Sequence, residues 1–499
     1  MAASPPSLPA AVVPTKLDAS PMSPPKSPPL NMGRPISPGP QLLDDQKDIK
    51  MSTLGGDPAG PTCASLVSDA PTWTMSTKEE WVAIAACLWC VFSVGWNDAT
   101  TGPLLPSIQA HYGINFIIVS MLFVSNCVGF LSAAVINIRL TDRLGFGKLI
   151  LIGAMFQVLA YSLMIPALPF PVMCVAYAIN GLGIGFQDAQ VNGFIADLPN
   201  NASAKMGLLH AVYGAGAFLS PLVATQFAQL PRWSFHYLTS LGLSVTNAAV
   251  LFIVFKLRTQ REVMGLPSSK STLDYTEEHQ NSSSGGKYKE IFTSRAVQLV
   301  AFFIWLYVGV EVTIGGWIVT FLIDERGGGA SVGYVSSGFF GGLMLGRVVL
   351  LWVNEKIGER RVIYVYCILC IGLELVVWLV PNLLGNAIAV SFGMSPSSTR
   401  EQIILPVNRP MYPIAMNVTG AIVPKRILTE SIGWIASFGQ AGSAVFPFMT
   451  GALAEKHSAK VLQPLAVGMI GALVVLWTLV PAGPKRGKGS TEPKSATNA

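Results

Sequence analysis

Charge is the first thing this sequence lacks. Asp, Glu, Lys and Arg make up 12% of its 499 residues, against roughly 25% in a soluble globular chain. A fold wrapped in a solvated, charged surface is therefore excluded. With 51% hydrophobic residues and a mean hydropathy of +0.50, the composition is that of a polytopic helical membrane protein. Paired cysteines are lacking too. Cys87, Cys90, Cys127, Cys174, Cys367 and Cys370 all lie in apolar runs. The CxxC spacing of Cys87 and Cys90 has no second pair near it, so these read as small buried hydrophobes and not as a metal or redox site. No nucleophile–base–acid grouping and no metal-ligand set appears, so neither an enzyme nor a resident cofactor is expected. A secretory signal is missing as well. Residues 1–78 are rich in Pro, Ser and Asp without a periodic apolar face, and are expected to form a disordered cytosolic tail.

What the chain does have is a series of apolar stretches of about 20 residues, each long enough to cross a hydrocarbon core. In the first half these fall at 81–105, 114–138, 148–168, 171–197, 206–228 and 233–256. A polar linker over 257–294 follows. The second half gives 296–323, 331–352, 361–380, a broken element at 386–423, then 429–453 and 461–481. The expected fold class is an all-α membrane protein of twelve transmembrane helices in two six-helix halves, 79–256 and 295–482. A short cytosolic tail over 483–499 ends it. The net charge of +6 does not signal nucleic acid, because the basic residues cluster in short loops between the spans. Alternate loops hold Arg139, Arg143 and Lys148, then Lys256, Arg258 and Arg261, then Lys356, Arg360 and Arg361. The positive-inside rule places those loops and both termini in the cytosol. Membrane lipid is the expected surrounding, a cell membrane the expected site, and a monomer the expected state.

The two halves share a motif. RLTDRLGFGK at 139–148 and LWVNEKIGERR at 351–361 each place acid, base, one residue and then Gly between the second and third spans of their half. Six spans per half and this recurrence argue for duplication. Asp142, Arg143, Gly145 and Lys148, with Glu355, Lys356, Gly358 and Arg360, are the candidate gating residues. They make a tight turn whose charges can latch neighbouring helices in one state and release them in another; topology-fixing charge is the plainer reading, and the two are compatible.

On these residues the chain resembles the major facilitator superfamily over roughly 80–482. The glycine usual four residues before the acid is Ile138 in the first copy and Leu351 in the second. More narrowly, WNDATTGPLLP at 96–106 and GFQDAQVNG at 185–193 resemble a fungal branch near the fucose–proton symporters. Those symporters carry an acid in the first span and another in the fourth, which the resemblance maps onto Asp98 and Asp188; the fourth-span acid is Asp here instead of Glu.

Polar groups inside the spans need a cavity, a partner or water. Asp98 follows Gly95-Trp96-Asn97 and lies roughly 25 Å along the first span, before Gly102-Pro103 and Pro106, which are expected to loosen the helix end. Asp98 could then carry a proton or cap a broken helix. Asp188 and Asn192 are four residues apart on one face of the fourth span, and Gln187 and Gln190 share an adjacent one. Asp188 is the leading proton carrier, with helix–helix hydrogen bonding as the alternative. Glu311, among Gly309, Gly315, Gly316 and Trp317, is the strongest candidate in the second half, in a helix expected to break near those glycines. His210 could relay protons beside Tyr213, and Glu374 stands between a structural and a coupling role. Asn97, Gln187, Gln190, Asn192, Tyr213, Trp317, Asn417, Trp434 and Gln440 complete the expected solute site.

Residues 393–410 resist the pattern. Arg400, Glu401 and Arg409 with three prolines cannot lie against lipid. The segment reads as an insertion within the tenth span, either a retained intron or an outward loop. The expected function is secondary active transport of a small polar, sugar-like solute with protons, by alternating access. Proton-driven efflux of a small organic molecule is the runner-up, and a non-transporting solute sensor the third reading.

Overall fold

The structure, a computed structural model, describes residues 75–266, 284–349, 357–392 and 411–481. The expectations for the N-terminal tail, the middle of the linker, Glu355, Lys356, the 393–410 insertion and the C-terminal tail lie outside those residues. The described chain is helical throughout and accounts for twelve crossings. Helices α1 Thr77–Tyr112, α2 Phe116–Leu144, α3 Phe146–Met164, α4 Phe170–Ala196, α5 Ala202–Ala228 and α6 His236–Phe255 form the first half. The second half holds α7 Arg295–Arg326, α8 Tyr334–Val349, α9 Glu359–Leu379, α10 Leu383–Phe392, α11 Met411–Ile422, α12 Leu428–Gln440, α13 Gly442–His457 and α14 Leu462–Leu479. The pair α12/α13 supplies one interrupted crossing, and α10 and α11 stand on either side of residues 393–410. Nine of the described helices are long and apolar enough to span a bilayer alone.

The first helix differs from expectation. It does not loosen at Gly102-Pro103 but runs unbroken through Pro103 and Pro106 to a left-handed cap at Gly113, whose N–H donates to the Gln109 carbonyl. A capping box formed by Ser76 and Glu79 starts it. Neighbouring helices hold both sides of the proline turn, which is how a transmembrane helix tolerates proline. Helix α7 is likewise continuous past Gly315 and Gly316. The break falls instead at Ala441, between α12 and α13.

With no aqueous driving force between helices in lipid, close packing has to come from small residues. A Cβ at Gly95 would overlap the Tyr213 carbonyl and one at Gly216 the Phe92 carbonyl, so α1 and α5 touch backbone to backbone. Gly129 and Gly181 do the same for α2 and α4. In the second half Gly442 sits on the Trp305 carbonyl, pairing α13 with α7 as α5 pairs with α1. The duplication is also visible in the turns. Gly145 has φ 77° and Gly358 has φ 91°, left-handed values that glycine adopts without strain, at the start of α3 and α9 respectively.

The two halves meet along α1–α7, α2–α13 and α5–α8. The tight contacts lie toward the end opposite the basic loops. Gly102 backs onto the Gly315 carbonyl, Gly316 onto the Phe123 ring, Gly333 onto Thr225, and Gly451 onto Ser120 and the Phe116 carbonyl. Hydrogen bonds cross between the halves at several places. Phe116 N–H donates to Glu455 Oε2 at 3.0 Å, Gln226 pairs with Tyr334, and Cys127 Sγ donates to the Gln440 carbonyl at 3.6 Å. The first two are at that same end and the third is near the middle.

Candidate functional site

The site grows from one turn of α1. Trp96 points into the first half: its Nε1 donates to Ser240 Oγ at 3.1 Å and its ring stacks on His236. Thr100, one turn on, joins Ser220 at 2.7 Å and His236 Nε2 at 3.2 Å. With that face of α1 tied to α5 and α6, Asn97 and Asp98 are turned to the other side. Asn97 Oδ1 accepts from Tyr161 Oη at 3.0 Å and from Asn180 Nδ2 at 2.6 Å, while its own Nδ2 donates to Asp98 Oδ1 at 3.2 Å. Asp98 Oδ2 accepts from Tyr213 Oη at 2.8 Å. The carboxylate is thus held by two donors on different helices, yet its residue remains exposed. Asp188 and, from the second half, Glu311 lie within electrostatic reach of it. Asp98 therefore sits within a continuous helix on the space between the halves, and does not cap a broken end.

Asp188 is half-buried, and its Oδ1 accepts from Asn192 Nδ2 at 2.9 Å. The spacing of four residues delivers that contact, as the sequence suggested. Gln187 and Gln190 go elsewhere. Gln187 is fully buried with Nε2 on the Ile150 carbonyl at 3.4 Å, and Gln190 Nε2 donates to Asn137 at 2.9 Å and Thr141 at 2.8 Å. Each residue turns a helix by 100°, so these two amides face α3 and α2 and act as interhelical ties. His210 is half-buried on α5, one turn before Tyr213.

In the second half Glu311 belongs to a stripe of Tyr307, Val310, Glu311 and Ile314 on α7. This stripe, with Phe339, Met411, Ile470 and Leu473, lines a small pocket with room for about one water. Trp317 is engaged in packing: it is buried, donates Nε1 to the Pro447 carbonyl at 3.0 Å, and lies against Phe116 and Phe123. Trp434 stacks on Phe438 and meets Phe292 edge-on. Gln440 Nε2 reaches Ser443 Oγ at 3.4 Å beside the helix break, and Asn417 is exposed on α11. Glu374 is buried on α9.

The motif at the basic end forms the expected turn. Gly145 N–H donates to the Thr141 carbonyl at 2.9 Å and closes α2, and Gly147 N–H donates to the Arg258 carbonyl at 2.9 Å, tying the linker to the turn. Asp142, Arg143 and Lys148 are exposed. In the second copy Arg360 donates to the carbonyls of Pro481 and Val480, capping the end of α14. Sequence reasoning passed over Asn180, Tyr161 and Asn137. Asn180 is a lone amide at the end of the apolar run FPVMCVAYAI, a signal of the same kind as Asp188.

Two six-helix halves, a turn motif repeated between the second and third helices of each, and acids facing the space between them call for comparison with known transporters. A model of the Major Facilitator Superfamily matches residues 87–399. The chain belongs to the major facilitator superfamily. Within it, the chain is 26% identical over 419 residues to Bypass of stop codon protein 6 of Saccharomyces cerevisiae, covering 80% of this chain and 82% of that one. It is 22% identical over 369 residues to the Glucose/mannose transporter GlcP of Bacillus subtilis, with 72% and 85% covered. Among solved structures it superposes on a D-xylose-proton symporter with a TM-score of 0.59 at 14% identity, covering 81% of this chain and 98% of that one. The major facilitator fold makes this a multi-pass membrane protein of a transporter family. The narrower likeness to fucose–proton symporters rests on its two motifs.

Proposed function

We propose that this chain moves a small polar, sugar-like solute across a membrane together with protons, by alternating access between its two halves. The observation that carries this reading is the setting of Asp98. It is an acid on an unbroken helix, held by Tyr213 and Asn97, open to the space between the halves and within reach of Asp188 and Glu311. A carboxylate so placed can take up a proton from one side and release it to the other as access alternates. Asp188, braced by Asn192, is the other carrier, and Glu311 the acid through which the second half senses the charge. Asn97, Asn192 and Tyr213 would meet solute hydroxyls.

The closed end and the open end fit one step of the cycle. The excess of Lys and Arg assigns the open end to the cytosol, so the state is inward-facing. The exposed Asp142, Arg143 and Lys148 are then a released latch, ready to re-form when the halves rock. The sugar relatives support the solute class. The experiment is proton flux in proteoliposomes against a panel of sugars and small organic acids, for wild type, Asp98→Asn and Asp188→Asn. Solute-dependent proton entry with the solute, lost in both variants, is the expected result. Proton movement opposite to the solute would replace symport by efflux, and flux that survives both substitutions would remove these acids from the mechanism.

A further inference from the structure

The Asp98 carboxylate is met by two donors of different kinds. Asn97 Nδ2 donates to Oδ1 at 3.2 Å and Tyr213 Oη donates to Oδ2 at 2.8 Å. Asp188 on α4 and Glu311 on α7 lie within electrostatic reach, but as ionised carboxylates they have no hydrogen to give. The two donors differ in what they do once a proton arrives. A phenol oxygen both donates and accepts, whereas an amide NH2 only donates. An O–H on Oδ2 therefore finds an acceptor in Tyr213, and an O–H on Oδ1 would point hydrogen against hydrogen at Asn97. That asymmetry holds only while the Asn97 amide keeps its orientation. A half-turn of the amide would put its carbonyl oxygen beside Oδ1 and reverse the preference.

Two groups buried behind the site hold the amide. Asn97 Oδ1 accepts from Asn180 Nδ2 at 2.6 Å and from Tyr161 Oη at 3.0 Å, and both partners are buried. The Tyr161 hydroxyl would tolerate a turned amide by accepting from it, but Asn180 Nδ2 would then face a second NH2. We propose that Asn180, supported by Tyr161, is the positioning residue of the proton site: it fixes the Asn97 amide so that Asp98 takes its proton on Oδ2, against Tyr213. On loading, the Oδ2–H bond forms, its hydrogen is donated to Tyr213 Oη, and the phenol hydrogen turns out of that line. Oδ1 becomes the carbonyl oxygen and keeps its bond from Asn97. A tie between helices, such as Gln190 makes, needs no particular acceptor. The Asn180 bond ends on the one amide oxygen that has to face away from Asp98. The inference rests on the reading of Asp98 as a proton carrier and adds the residue and the oxygen that decide how it loads.

The test is infrared difference spectroscopy of the purified full chain in lipid nanodiscs, between high and low pH, reading the C=O stretch of protonated Asp98. The band is assigned by its loss in Asp98→Asn. Wild type should show a single band, from one protonated oxygen. Asn180→Leu removes the donor and keeps the branched shape. It should move and split the band, because the freed amide turns either way and either oxygen then carries the proton. In an Asn97→Ala background the same substitution should leave the band where Asn97→Ala put it, since residues that act through one partner lose their separate effects. Leucine in place of a buried amide can prevent folding. Tyr161→Phe then carries the test: it keeps the ring that stacks on Tyr237 and should broaden the band. An Asp98 band unchanged in every folded variant of these two residues would overturn the inference and leave the carrier reading standing. An Asn180→Leu effect that persists in full without the Asn97 amide would also overturn it, by assigning Asn180 to packing. If no wild-type band is lost in Asp98→Asn, the carrier reading itself falls and this inference with it.

Discussion

The first half of the molecule surrounds its acid with partners, and the second half leaves its acid almost alone. Asp98 takes hydrogen bonds from α5 and from its neighbour Asn97, and Asn97 is in turn fixed by α3 and α4. Glu311 stands in an apolar pocket. The backbones are alike, with α1 packed on α5 and α7 on α13 through glycine contacts. Duplication thus preserved the helix packing while the side chains facing the space between the halves diverged. A braced acid keeps one geometry through the cycle and suits coupling; an unbraced acid in an apolar wall suits recognition of whatever arrives.

The sharpest way to break that contrast is Asp98→Asn. Loss of a positioned proton carrier should lower proton-driven uptake by about 100-fold or more, while solute exchange without a proton gradient continues; proteoliposomes with and without the gradient separate the two, and equal loss in both would assign Asp98 to solute binding alone. Next is the closed end. Gly102→Leu would drive a side chain into the Gly315 carbonyl. Overpacking of about 1–3 kcal/mol should shift the halves toward the opposite-facing state by about 10-fold or more, read as a change in spin-label distances across the α1–α7 contact; unchanged distances would mean that this contact does not hold the end shut. Tyr213→Phe removes one donor from Asp98, and a hydrogen bond to a charged group is worth about 1.5–3 kcal/mol. Uptake should fall about 10-fold, with Asp188→Asn no longer additive to it.

Gln190→Ala is the control. Its amide ties α4 to Asn137 and Thr141, so thermal stability should drop by about 1–2 kcal/mol while uptake per folded molecule stays within about 2-fold. A larger transport defect would return Gln190 to the solute site. The buried pair between Lys205 and Glu80 joins α5 to α1 at the basic end. Lys205→Ala should cost about 3–5 kcal/mol of stability, measured by thermal unfolding in detergent, and a near-neutral result would show water reaching the pair.

Much of this was legible because membrane insertion imposes a simple rule on sequence. Apolar runs of about 20 residues, loop charge and a turn motif repeated at 142–145 and 355–358 are all local signals. Asp98, Asp188, Asn192 and Glu311 could be picked out because a polar group in such a run is costly unless something meets it. The partner that meets it is not local. Gln187 and Gln190 looked like the same signal as Asp188 and turned out to satisfy α3 and α2. Trp317 looked like a solute platform and is packed at the closed end.

The sequence by itself determined the class of fold, the number and order of the crossings, the duplication and the identity of the polar groups in the spans, because hydropathy and helical periodicity act over one or two turns. The tertiary structure decided which polar groups face the space between the halves, that α1 and α7 run straight through their glycines and prolines, and which end of the molecule is shut. Those outcomes depend on which helices approach closely enough to share a hydrogen bond or a glycine contact, and that is set by residues from 37 to 339 positions apart.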